Sequence, residues 1–143
     1  MKRGTLKRAA AVFFAIAAAA PARGLERNEQ RNVYASAGRE TRIASYGAPD
    51  ETCRAGAPPV IEVVERPSYG TLVDKPVRIL AERRGLARPD HPCVGKFIEA
   101  VAVYYRPVTG FHGSDRLRLR VTFDAPTPRG TTTLEEEIFI AVR

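Results

Sequence analysis

The sequence predicts an all-β protein, an antiparallel sandwich of about seven strands behind a cleavable signal peptide. Three observations carry that expectation. The segment "DRLRLRVTF" (Asp115–Phe123) alternates Leu117, Leu119, Val121 and Phe123 with Arg116, Arg118, Arg120 and Thr122. A period of two means one buried face and one wet face, which a strand provides and a helix does not. The segment "TLEEEIFIAV" repeats the pattern, with Leu134, Ile138, Ile140 and Val142 on one parity and Glu135 and Glu137 on the other. After the first two dozen residues no helix of useful length is legible, and proline and glycine turns separate short β-branched runs.

The N-terminus reads "MKRGTLKRAAAVFFAIAAAAPARG". Lys2, Arg3, Lys7 and Arg8 precede an apolar run from Ala9 to Ala20, and Ala20-Pro21-Ala22 places small residues in an A-x-A arrangement, the pattern of a secretory signal. The run is too short for a spanning helix, which needs roughly 20 residues. Residues 1–22 are therefore expected to be removed, leaving no membrane span. The location expected is periplasmic or secreted. Removal takes the formal charge from +7 to +3 (7 − 4), because four of the Lys and Arg lie in the signal. Much of the apparent basicity then belongs to targeting, and no nucleic-acid partner is expected.

Residues 23–40 are polar without a steady apolar period and read as a flexible lead-in, with at most a short edge strand at Val33 and Tyr34. The domain is expected over 41–143. "TRIASY" (Thr41–Tyr46) and "VIEVVE" (Val60–Glu65) read as strands. "TLVD" (Thr71–Asp74) and "VRIL" (Val77–Leu80) look extended on either side of Lys75-Pro76. "AERRGLARPDHPCVG" (Ala81–Gly95) is a long irregular segment, read as a solvated loop or as a binding loop offering Arg83, Arg84, Arg88 and His91. "KFIEAVAVYYRP" is a long strand with Phe97, Glu99, Val101, Val103 and Tyr105 on one face. If the last two strands form a hairpin, Arg118 and Arg120 lie across from Glu137 and Glu135, which makes the arginine stripe half of a charge ladder. Glu136 falls on the inward parity, where only a bulge or a shift of register would account for it.

Cys53 and Cys93 are the only cysteines. In an oxidising compartment a bridge between them is expected, the alternative being two buried thiols. Zinc on His91, His112 and the cysteines is not expected, since no C-x-x-C or H-x-x-x-H spacing occurs. Asp74, Asp90, Asp115 and Asp124 form no D-x-D-x-D run for calcium. Ser114, His112 and Asp115 are too close in one turn to form a nucleophile–base–orienter line. No cofactor is expected.

The stretch "YRPVTGFHGSDRLRLRV" resembles the closing half of bacterial Ig-like and cadherin-like repeat domains, through Tyr105, Pro107, Gly110, Phe111, Gly113, Asp115, Leu117, Leu119 and Val121. Upstream, "RPSYGTL" resembles that family's Pro-x-x-Gly-Thr hairpin at Pro67, Gly70, Thr71 and Leu72. The insert from Ala81 to Gly95, the two cysteines and the single copy depart from the family pattern. The resemblance implies an Ig-like sandwich. By residue chemistry, Pro107 ends a strand, Gly110 and Gly113 permit positive φ, Phe111 plugs the sandwich end and Asp115 accepts backbone N–H groups. The expected function is a non-enzymatic binding, interaction or structural module of the cell envelope, acting through its loops on protein or envelope polysaccharide. The alternative is a small periplasmic hydrolase or metal-binding protein using His91 and His112.

Overall fold

The structure, a computed structural model, describes residues 25–83, 86, 89–124 and 131–143. The segment read as a signal peptide, together with Arg84 and Arg88 of the expected binding loop, lies outside those residues. Seven strands run in chain order: β1 (Leu25–Ala35), β2 (Thr41–Tyr46), β3 (Val60–Glu65), β4 (Gly70–Leu80), β5 (Phe97–Pro107), β6 (Gly113–Phe123) and β7 (Thr132–Val142). They form a four-stranded sheet in the order β1-β7-β6-β3 and a three-stranded sheet in the order β2-β5-β4. Only the β1–β7 pair is parallel. Lettered A to G, the sheets are AGFC and BED. This strand order differs from the ABED and CFG sheets of a constant-type β-sandwich in one respect: the first strand lies beside the last instead of beside the second.

The alternating pattern of β6 explains why the two sheets stack. Leu117, Leu119 and Val121 are buried against Ile138, Ile140 and Val142 of β7 and against Ile43, Tyr46, Val103 and Tyr105 of the opposite sheet. The wet face of β6 forms the expected ladder, with Arg118 opposite Glu137 and Arg120 opposite Glu135. The ladder also crosses the whole sheet. Asn28, Glu135, Arg120 and Glu62 make one row, and Gln30, Glu137, Arg118 and Glu65 the next. Arg120 bonds Glu135 at 2.6 and 2.9 Å and Glu62 at 3.3 Å, while Arg118 bonds Glu65 at 3.2 Å. The arginine stripe is thus neutralised by carboxylates from both neighbouring strands.

Three readings of the sequence are corrected. The polar stretch 25–35 is an eleven-residue strand, not a flexible lead-in, because β7 supplies a backbone partner along its whole length. Only Val33 and Ala35 of its inward side chains join the core, so no apolar period announced it. The two short segments around Lys75-Pro76 are one continuous strand. Pro76 is tolerated because β4 lies at a sheet edge, where a missing N–H interrupts no second ladder. In β5, finally, both parities are buried. Val103 and Tyr105 face the sandwich, while Ile98, Ala100 and Ala102 face the other way. Ile98 packs there in a satellite cluster with Ala81 and Cys93, closed by Cys53, Ile79 and Leu86.

Candidate functional site

The stretch singled out from the sequence, Tyr105 to Asp115, closes one end of the sandwich. β5 ends at Pro107, and the turn carries Gly110 at φ 79° and Gly113 at φ 141°. Phe111 stacks on Tyr69 of the β3–β4 turn, with ring centroids 4.3 Å apart. Asp115 reaches further than a local Asx turn. Its carboxylate accepts N–H bonds from Ser68 and Tyr69, and the Tyr105 hydroxyl, all at 2.9 Å. A third N–H comes from Arg116. One buried carboxylate thereby ties the β3–β4 turn, more than forty residues away, to β5 and β6. Burial, helped by this hydrogen bond, pushes the Tyr105 hydroxyl above its ordinary value, so it stays a donor. Gly70 is required by the same lock, because a methyl group there would overlap the Tyr105 ring. His112 is exposed beside the lock and takes no part in it.

The second region is the segment between β4 and β5. A disulfide joins Cys53 to Cys93, with Cα atoms 5.4 Å apart. His91 does not serve as a free binding side chain. It is buried, and its Nδ1 accepts the Cys93 N–H at 3.2 Å, which makes it a brace for the bridged turn. Arg83 is exposed. The disulfide fixes this segment against the outer face of β4 and β5 at Ile79 and Ile98. On the opposite face of the same ribbon, Leu80 pairs with Phe97 and Arg78 with Glu99. These positions have core-facing parity, yet Phe97 is 62% and Leu80 50% exposed. The ribbon therefore projects beyond the facing sheet. Its apolar pair lies open to solvent, with the Arg78 guanidinium 5.8 Å from the Phe97 ring centroid.

A third feature answers the question left by Glu136. No bulge is involved, since the β6–β7 register is continuous. The side chain enters the core, is 1% exposed and accepts a hydrogen bond from the Tyr46 hydroxyl. Arg31 of β1 bonds its other oxygen at 2.6 Å. Burial, and then the adjacent Glu136 charge, raise the Tyr46 hydroxyl above its ordinary value. The triad links β7 to the edge of each sheet. Arg31 also lines a cleft of about 210 Å³ with Arg42, Ile43, Ala44 and Ser45. The sequence signal for this site was the break in parity within "EEE".

Among the described residues, no group of three His, Cys, Asp or Glu converges as metal ligands would, and no helix is long and apolar enough to cross a membrane. No family model, no curated protein and no solved structure matches the chain. Fold and geometry alone define its class: a disulfide-linked, seven-stranded, two-sheet β-sandwich.

Proposed function

We propose that the protein is an exported, non-enzymatic Ig-like module that binds a protein or polysaccharide of the cell envelope. One observation carries the reading: the exposed Leu80–Phe97 pair on a ribbon whose reverse face is anchored by the Cys53–Cys93 cluster. Large apolar side chains held rigidly in water are what an interaction surface presents, since their conformational cost is met before any partner arrives. The neighbouring Arg83 adds a polar rim. The disulfide fits an oxidising compartment, as does the signal-like N-terminus. The test is capture from envelope extract, comparing the native chain with a Leu80→Ala/Phe97→Ala variant. Loss of a captured component, with melting temperature retained, supports the reading. Equal capture by both proteins would refute this surface as the site.

A further inference from the structure

Four strands have one side without a partner strand among the described residues: β1 and β3 in one sheet, β2 and β4 in the other. Unpaired N–H and C=O groups along such an edge are a template for another strand, and natural edges are usually blunted. Three of these edges are. β2 and β3 have six residues each and a register shift, between Arg42 and Ala44 and between Val63 and Glu65. β4 carries Lys75 and Pro76 at its centre. β1 is different. It has eleven residues, "LERNEQRNVYA", with no proline, no lysine and no shift against β7.

The inward-parity residues of β1 are Arg27, Glu29, Arg31, Val33 and Ala35, opposite Leu134, Glu136, Ile138, Ile140 and Val142 of β7. The charged ones alternate in sign, which discourages an apolar strand but suits one of complementary pattern. β1 itself has that pattern. Two copies laid antiparallel over their full length meet at Gln30, the central residue. Glu29 then lies opposite Arg31 of the other copy, twice by symmetry, and Asn28 opposite Asn32 on the outer face. A shift of two residues one way sets Glu29 against Glu29 and Arg27 against Arg31. The same shift the other way sets Arg31 against itself. Like charges directly opposite are destabilising, so both neighbouring registers are disfavoured; a shift of four would again oppose Arg27 and Glu29 but pairs only seven residues of each strand instead of eleven. Arg31 is 40% and Glu29 43% exposed at the side chain, so both can be reached.

We infer that the protein pairs with a second copy of itself through β1, edge to edge about a two-fold axis at Gln30, making one continuous eight-stranded sheet of the order β3-β6-β7-β1-β1-β7-β6-β3. The interface is isologous and closes after two copies. It consumes the one long edge among the described residues that lacks proline, lysine and a register shift, and leaves the Leu80–Phe97 face of each copy free.

The test is sedimentation equilibrium on protein expressed from the full sequence, with two variants on exposed positions. Glu29→Arg places two arginines opposite each other on both sides of the two-fold axis. It should weaken the dimer about tenfold or more without lowering the melting temperature measured at dilutions where both proteins are monomeric. Gln30→Cys puts one thiol against its symmetry mate, at the Cα spacing of about 4.5–5.5 Å that antiparallel neighbours share and a disulfide can span. It should give a covalent dimer under mild oxidation, while Asn28→Cys, whose partner is Asn32, should not. A chain that stays monomeric at all concentrations overturns the inference. So does a dimer that is indifferent to Glu29→Arg and is not trapped through Gln30→Cys.

Discussion

Asp115 and Glu136 are two buried carboxylates in one sandwich, each receiving a hydrogen bond from a core tyrosine, and they are held in different ways. Asp115 lies among backbone N–H groups from two chain segments and needs no cation. Glu136 is met by a single guanidinium that reaches in from an edge strand. A carboxylate satisfied by backbone donors organises the loops that supply them. One satisfied by a side-chain charge fastens the strand that carries the charge. The first locks an end of the sandwich, and the second pins β1 to the core.

The comparison can be broken at either site. The largest effect is expected from Asp115→Ala, which leaves the Ser68 and Tyr69 N–H groups and the Tyr105 hydroxyl without their acceptor. A loss of about 3 kcal/mol or more is expected in chemical denaturation, and no apolar residue at position 115 should restore it. Arg31→Ala should cost about 2–3 kcal/mol, towards or below the lower end for a broken buried pair because Arg31 keeps contact with water. Here rescue is expected. Adding Glu136→Leu should recover most of the loss, because removing both members of a buried pair relieves the uncompensated charge. If the double variant is no more stable than Arg31→Ala alone, Glu136 is not the residue that Arg31 serves.

The tyrosines sharpen the contrast at smaller scale. Tyr105→Phe should cost about 1 kcal/mol, because Asp115 retains three N–H donors. Tyr46→Phe should cost more, about 2 kcal/mol, because Glu136 is left with Arg31 alone. Equal losses would erase the distinction. The smallest effect concerns acid. Glu40 is held below its ordinary 4.5, first by its hydrogen bond to Lys75, and Asp50 below 3.8, first by its bond to Thr52. A carboxyl whose pKa falls on folding stabilises above its unfolded value, and that contribution is lost as pH drops through the folded one. Melting temperature should therefore decline below about pH 4, and Glu40→Gln with Asp50→Asn should flatten the decline.

Legibility followed the pattern of side chains. β6 and β7 could be read because alternate residues are apolar along most of their length, and their register followed from matching arginines to glutamates. Asp115 could be read as an acceptor, but not its partners, since Ser68 and Tyr69 come from a turn nearly fifty residues away and no local rule couples them. Glu136 was visible only as an inconsistency. Its partners are a tyrosine that resembles any core residue and an arginine in a strand without apolar period. β1 was missed for that last reason: its stability comes from backbone pairing, which composition does not record. The exposure of Phe97 was also hidden, because alternation gives the face of a residue and not whether the facing sheet extends far enough to cover it.

The parallel pairing of β1 with β7 also bears on the time course of folding. The first strand of the domain finds its ladder only in the last, and the Arg31–Glu136 contact spans 105 positions of chain. A polypeptide emerging from its N-terminus can assemble the antiparallel pairs of β2, β4 and β5 early, but β1 must wait until β7 arrives. Contacts between such distant positions carry a high loop-closure cost and slow the final step. Until that step, one buried carboxylate lacks its cation, and a partial chain is denied the lock that completes the sandwich.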